Sequence, residues 1–237
     1  MFCIVMVGRA AAHPDSLIYR SIGVGFPSIN YSPLSSLNHS GYSLGSHSTR
    51  FREKPNSLTQ FQLHFELGLL YNNASDLYIT TFGFNSSWSR HWHVTDRSRP
   101  LRLMLGGGAN IGVKFYLKED NTDNPLAYWF NLSVSPSILV QYRFNIHKTK
   151  FELGQQIEAP PGSLIFSSGY FSMVSFGSLK KCVAVTSLDI TLPLERRQWP
   201  TFRVSYMFSG MNYVNSDFTV KFVDHIILFG TIFDLFR

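Results

Sequence analysis

From Thr59 to Tyr71 the chain reads T-Q-F-Q-L-H-F-E-L-G-L-L-Y, and its character changes at nearly every residue. Phe61, Leu63, Phe65, Leu67, Leu69 and Tyr71 are apolar, whereas Gln60, Gln62, His64, Glu66 and Gly68 are polar or small. A period of two places the two sets on opposite faces of a β-strand. The alternation returns from Leu17 to Phe26, where Ile18, Ile22, Val24 and Phe26 fall in one phase. From Asp76 to Trp88 it places Tyr78, Phe82, Phe84 and Trp88 on one face. From Leu101 to Leu117 the apolar set is Leu101, Leu103, Leu105, Ala109, Ile111, Val113, Phe115 and Leu117. The opposite face there carries Arg102, Met104, Gly106, Gly108, Asn110, Gly112, Lys114 and Tyr116.

Breakers separate these segments. Pro27 to His39 is rich in Ser, Pro and Asn and reads as a loop, Ser40 to Thr49 as a strand, and Arg52-Glu53-Lys54-Pro55-Asn56 as its end. Asn72-Asn73-Ala74-Ser75 and Lys118 to Pro125 read as connections. From Leu126 one phase runs through Pro136 to Phe144, predicting a single bent strand, and His147-Lys148-Thr149 then turns into Phe151 to Ile157. Ala159 to Ser178 has no clean alternation and reads as a long loop folded into a barrel mouth as a plug. Cys182 to Leu194, Thr201 to Gly210 and Phe218 to Phe236 complete about ten strands, or twelve if the plug region pairs as a hairpin.

Composition decides which way the faces point. Charged residues are 15% of the 237-residue chain and aromatics also 15%, against roughly 25% charged residues in soluble domains. No apolar run approaches the ~18 residues of a membrane helix, so a membrane would have to be crossed by strands. Spanning strands must close on themselves, because unpaired backbone groups are not tolerated in hydrocarbon. The chain is therefore predicted to be all-β, a transmembrane antiparallel up-and-down barrel, apolar outside and polar within. A soluble sandwich or lipocalin-like barrel is the alternative, with the faces reversed. Glycines on the polar face of Leu101 to Leu117 are expected to make room where opposite walls would collide.

Residues 1–12 (M-F-C-I-V-M-V-G-R-A-A-A) resemble the apolar region and small-residue cleavage site of a secretory signal, lacking the upstream positive residues, and are read as a truncated leader. Residues 13–237 are then one barrel domain. Of two cysteines, Cys3 and Cys182, cleavage would leave only the second, so no disulfide framework is expected. The formal net charge is +6 and the isoelectric point about 9.4. The basic residues gather in candidate turns, such as Arg50, Arg52 and Lys54, or Lys180 and Lys181. Solvated turns near anionic headgroups explain them better than nucleic-acid binding.

Candidate bore residues follow from strand phase: Gln60, Gln62, His64, Glu66, Arg102, Asn110, Lys114, Tyr116 and Trp129. Trp88 and Trp92 are candidates for an interfacial aromatic girdle. His64 and Glu66 could belong to a hydrolase triad, but no serine is in register, and a wall network balanced by Arg102, Lys114 or Arg143 is the better reading. His91-Trp92-His93 with Asp96 has metal-like spacing without a fixed third ligand, so no metal, cofactor or catalytic residue is assigned. The run Gly106-Gly107-Gly108 lacks the Lys-Ser/Thr of a phosphate loop.

Short segments throughout the chain carry a family resemblance. They include Tyr31-Ser32-Pro33-Leu34 with Gly41, the glycine run with Gly112, Asn124-Pro125-Leu126-Ala127 with Asn131-Leu132-Ser133, Phe166-Ser167, Tyr170-Phe171, Arg203-Val204-Ser205-Tyr206 and Val214-Asn215-Ser216. Together they resemble a Bacteroidetes-type outer-membrane barrel family known as domain of unknown function 3316. The closing segment, with Phe236 one residue before Arg237, is similar to the terminal aromatic signal of outer-membrane proteins. The resemblance implies a barrel in the bacterial outer membrane and no particular chemistry.

Three functions are open to such a chain: a small plugged structural or accessory barrel serving an envelope complex, a narrow pore for small solutes, or a lipid-modifying enzyme. The first is preferred and a non-enzyme expected. Outer-membrane lipid or lipopolysaccharide and other outer-membrane proteins are the expected partners, with no nucleic acid.

Overall fold

A computed structural model describes residues 16–31, 35–72, 77–118, 126–160, 162–167, 170–174, 179–192, 201–214 and 219–234. Their alternating stretches form antiparallel strands. The first, β1 (Ser16–Gly25), continues past Pro27 as β2 (Ser28–Tyr31). Next come β3 (Ser35–Lys54), β4 (Ser57–Asn72), β5 (Leu77–His93), β6 (Leu101–Lys118) and β7 (Leu126–Ile146). β8 (Thr149–Glu158) continues past Pro160 as β9 (Gly162–Ser167), which folds back as β10 (Tyr170–Val174); β11 (Leu179–Thr191), β12 (Thr201–Val214) and β13 (Thr219–Asp234) complete the chain.

Ten of these close a ring in the order β1, β3, β4, β5, β6, β7, β8, β11, β12, β13, sealed where β13 pairs with β1 and β7 with β8. β2 is the upper part of β1's wall strand, since both lie between β3 and β13. The bend at Phe26 and Pro27 keeps its backbone bonded: the Phe26 N–H donates to His225 O (2.8 Å) and the Gly41 N–H to Pro27 O (3.1 Å). β9 likewise extends β8 along β7. Pro136 does not end β7. It keeps its register with Gly107 on β6 and sits where β7's other partner changes from β8 to β9, a place that tolerates a missing N–H.

Leu17 pairs with Asp234, so the first and last described strands finish at one end of the barrel. Strands β3 to β7 have 20, 16, 17, 18 and 21 residues, beyond the ~9–11 that cross a bilayer. They project past the apolar band. At the end with the termini the turns are tight: β3 and β4 are joined by Pro55-Asn56, and β7 and β8 by His147-Lys148, with His147 at φ 54°. In the β5–β6 connection the Asp96 carboxylate accepts the Ser98 N–H at 2.9 Å, which holds the Asp96 carboxyl below the usual range and commits it to the turn.

The outer face is apolar. Leu67 and Phe229 are 58% and 59% exposed, and Phe61, Phe65, Ile111 and Val134 share that surface. Arg102 is only 6% exposed, so the faces point as a membrane barrel requires, opposite to a soluble sandwich.

Four sequence expectations are corrected. Pro27 to His39 is not one loop, because it holds β2 and the start of β3; the alternation of Ser28, Ile29, Asn30 and Tyr31 is too short to stand out beside Pro27 and Pro33. The described parts of Ala159 to Ser178 are not a plug. β9 pairs with β7 in the wall and β10 pairs with β9, a hairpin that leaves the ring at ten strands. The bore is not polar throughout: Leu58, Met104 and Leu139 form an apolar cluster inside it with Phe51, and Leu70, Ile79 and Phe222 are also buried within. The reason for the bore glycines is different as well, and is given below. The proposed leader, 1–12, and most of the Asn72-Ser75 and Lys118-Pro125 connections lie outside the described residues.

Candidate functional site

One strand shows how the bore is layered. Inward along β4, away from the end that holds the termini, come Leu58, Gln60, Gln62, His64, Glu66, Gly68 and Leu70: an apolar floor, four polar positions, a gap and an apolar ceiling. The other strands add to the same layers. Below the floor, at the terminal mouth, Glu53 receives Arg97 Nε (2.9 Å) and Arg102 Nη1 (3.2 Å), while Arg143 pairs with Glu152 and Arg203 with Asp189. Arg203 also lies over the rings of Tyr19 and Phe51, at 4.8 and 5.1 Å. These pairs surround a cavity of about 240 Å³.

The polar layer is bonded both within and between strands. Gln62 donates to Gln60 (3.3 Å) and Ser87 to Gln62 (3.3 Å); Asn110 donates to Asn85 (2.7 Å) and Asn131 to Asn110 (3.4 Å). His47 Nε2 meets Thr49 Oγ1 at 2.7 Å, and the His47 and His64 rings are 5.9 Å apart.

Above it one side chain reaches across the bore. Lys114 Nζ on β6 is 2.9 Å from Glu66 Oε2 on β4 and 3.9 Å from Asp224 Oδ2 on β13. β6 and β13 are five strands apart whichever way the ring is followed, so this side chain spans the diameter. Its ammonium also sits 3.9 Å from the centre of the Phe222 ring. Leu70, Ile79 and Tyr116 are all buried at the upper level.

Two of these bonds pass over glycines. Gly83 lies between Glu66 and Lys114 in the registers of β4, β5 and β6, and Gly106 between His91 and Ser137 in those of β5, β6 and β7. The Glu66–Lys114 ion pair and the 2.8 Å His91–Ser137 hydrogen bond each pass over the strand that carries the glycine. A Cβ at Gly106 would collide with the Arg90 carbonyl oxygen, whereas one at Gly112 would only touch Asn85 Nδ2 at 3.4 Å. At Gly106 the glycine therefore admits the close approach of the β5 backbone, while at Gly83 a Cβ would only touch Glu66 Oε2 and Lys114 Cε at 3.4 Å; the neighbours are adjacent strands and the side chains that cross them, not opposite walls.

Gln60, Gln62, His64, Glu66, Arg102, Asn110, Lys114, Tyr116 and Trp129 lie on the inner face, as the phase of their strands dictates. Trp88 and Trp92 lie on the outer face, each 51% exposed, with the Arg90 guanidinium 5.4 Å from the Trp92 ring. Lys114 occupies Glu66, and neither ring nitrogen of His64 has a hydrogen-bond partner among the described residues, so the suggested His64–Glu66 triad is not assembled. His91 turns into the bore toward Ser137 while Asp96 caps a turn. Sequence reading missed Asp224, Glu53, Asp189 and Arg203. Asp224 was hidden because its neighbours on the inner face of β13, Phe222, Ile226 and Leu228, are as apolar as the outer face.

Fold and bore together define a ten-stranded membrane-type β-barrel with a layered inner face of apolar and polar side chains. The chain belongs to the family described as Protein of unknown function (DUF3316), whose family model matches residues 12–237. Among solved structures it is similar to the outer membrane protease OmpT from Escherichia coli, at 7% identity and a TM-score of 0.52, covering 95% of this chain and 99% of that one. It is also similar to the translocator domain of the autotransporter NalP from Neisseria meningitidis, at 8% identity and a TM-score of 0.49, covering 95% and 90%. No curated protein matches the sequence. At these identities the likeness concerns the fold alone.

Proposed function

We propose that the protein is a non-conducting barrel of the bacterial outer membrane, a structural or accessory subunit of an envelope assembly and not an enzyme. The observation that carries this reading is the closure of the bore. A floor of Leu58, Met104, Leu139 and Phe51, the Lys114 side chain across the diameter, and a ceiling that includes Leu70 and Ile79 stand in series. A solute path would have to displace all three. The hydrolase reading finds no support in the bore, where Glu66 is engaged by Lys114 and the His91–Ser137 pair is fully enclosed.

An outer-membrane location is supported by the outward apolar band on a closed ring of strands, the architecture that satisfies every backbone group in hydrocarbon. With transport and catalysis set aside, the surfaces left for function are the outer wall and the two rims. These suit contacts with lipid or lipopolysaccharide and with other outer-membrane proteins. Single-channel recordings in planar bilayers test the reading: wild-type protein should give no conductance steps, and regular steps would refute it. Recovery of a stable companion in mild detergent is the expected result for an accessory subunit.

A further inference from the structure

Charged side chains on the outer wall are few and unevenly placed. Arg20 of β1, Arg50 and Arg52 of β3 and Arg90 of β5 share the outward phase of Ile22, Leu44 and Trp88, whereas the outward positions of β4, β6, β7, β8 and β12 hold no Asp, Glu, Lys or Arg. All four lie toward the end that holds the termini. One row of paired residues across the wall runs Ile18, Arg50, Phe61, Trp88; the next toward that end runs Ser16, Arg52, Thr59, Arg90, and the next away from it Arg20, Ser48, Leu63, Ser86. Strands stand ~4.8 Å apart and alternate residues of one strand ~7 Å apart, so the backbones of Arg20, Arg52 and Arg90 lie within roughly 7–12 Å of that of Arg50. Their long side chains can converge on one small group.

No carboxylate among the described residues is within ion-pair reach of any of the four, and a guanidinium keeps its proton in any protein setting. Arg50 Nε donates to Ser16 Oγ at 3.1 Å, and the Arg90 guanidinium stands 5.4 Å from the Trp92 ring. These contacts hold the two side chains in place without cancelling their charge. Trp88 and Trp92 flank Arg90 on β5, which sets the patch at the level of the aromatic girdle, where headgroups meet hydrocarbon. Arginines spread evenly round a girdle would be plain anchors. Gathered on one sector, with forked donors that take phosphate oxygens two at a time, they fit an anionic headgroup.

We propose that the outer wall from β1 to β5 holds an anionic glycerophospholipid, its phosphodiester between Arg50, Arg52 and Arg90 and its acyl chains along the outward face of β4. This rests on the outer-membrane reading, in which the tight turns face the periplasm. The leaflet on that side is built of phospholipid, so lipopolysaccharide is not the occupant.

The test is to fold the wild-type protein in a neutral detergent, add phosphatidylglycerol and phosphatidylethanolamine in equal amounts, and count the lipids that stay on folded chains by native mass spectrometry. Phosphatidylglycerol should be retained in preference by at least about tenfold. Arg52→Gln with Arg90→Gln, folding verified by heat-dependent gel mobility, should weaken its retention about 25-fold, at about fivefold for each basic residue lost near a lipid surface. Lys148→Gln with Lys221→Gln removes two exposed charges outside the patch and should change retention by less than about twofold. Wild-type protein that retains the two lipids equally overturns the proposal, as does a folded arginine variant that behaves like the lysine variant. Should the double arginine variant not fold, Arg90→Gln alone should lose about fivefold, and an unchanged retention overturns the proposal. Protein that folds in buffer without detergent and retains neither lipid refutes the membrane reading itself, a failure distinct from equal retention by a detergent-folded barrel.

Discussion

Replacing Lys114 by methionine keeps the length of the side chain and removes its charge. Glu66 and Asp224 then face each other in an enclosed layer with no ammonium between them, Glu66 losing a 2.9 Å contact and Asp224 its nearest cation. Removing one partner of a buried pair costs about 3–5 kcal/mol, because the charge left behind stays desolvated. Loss of the contact with the Phe222 ring adds up to about 2 kcal/mol. Even the lower end is about two decades in the folding equilibrium.

Urea titration of folding into lipid vesicles measures this directly, and Trp129, which is in register with Lys114 on the neighbouring strand, reports on that layer by fluorescence. The triple variant Lys114→Met, Glu66→Gln, Asp224→Asn removes all three charges and should recover most of the loss, since buried neutral amides carry a smaller desolvation penalty than buried ions. A Lys114→Met loss below about 1 kcal/mol, the range of an exposed ion pair, would refute the claim that this side chain is a desolvated tie across the bore. A triple variant less stable than the single one would refute the electrostatic reason for it.

Other outcomes can be checked with the same titration. Gly106→Ala should destabilise by about 1–3 kcal/mol as its methyl group forces β5 and β6 apart, while Gly112→Ala on the same strand should stay within about 0.5 kcal/mol; equal effects would show that the close approach of β5 to Gly106 does not matter. Phe65→Arg, on the outer wall, should lower stability in bilayers by about 2–4 kcal/mol, and a neutral result would place Phe65 away from hydrocarbon. His147→Gly should raise stability by up to about 1 kcal/mol, since the left-handed backbone at φ 54° is strained for a residue with a Cβ; a loss would mean that the imidazole makes a compensating contact.

The direction of the faces was legible because it is local. Phe61, Phe65, Gln62 and Glu66 declare their sides within one strand, and the breakers Pro55-Asn56 and His147-Lys148 are short and strongly marked. The strand extensions were harder. β2 alternates over only four residues, Ser28-Ile29-Asn30-Tyr31, too few to stand out among the neighbouring prolines and serines, and it is fixed by pairing with a strand far along the chain, β13. The site was half legible for the same reason. Glu66 and Lys114 could be assigned to the bore by phase, but their meeting depends on ring closure, and Asp224 enters only because β13 lies opposite β6. Nor does periodicity distinguish an open lumen from a filled one. Leu58, Met104 and Leu139 occupy positions whose phase says only that they point inward.

The bonds that pass over Gly83 and Gly106 bear on how such a wall keeps its alignment. An apolar outer face gives little guidance against sliding, since a leucine facing lipid is as content two residues along; a shift of two preserves the in–out pattern. In the bore such a shift is not neutral. Moving β5 by two residues against β4 and β6 would bring Asn85 or Thr81 into the place of Gly83, setting a side chain in the line between Glu66 and Lys114. A two-residue shift of β6 against β5 and β7 would put Met104 or Gly108 between His91 and Ser137, and on the Met104 side that hydrogen bond is blocked. The buried polar layer therefore discriminates between registers that the hydrophobic pattern alone leaves equivalent, and the triple neutral variant carries a second expectation: a barrel near wild-type stability that reaches it through more misregistered intermediates, seen as a larger slow phase in refolding.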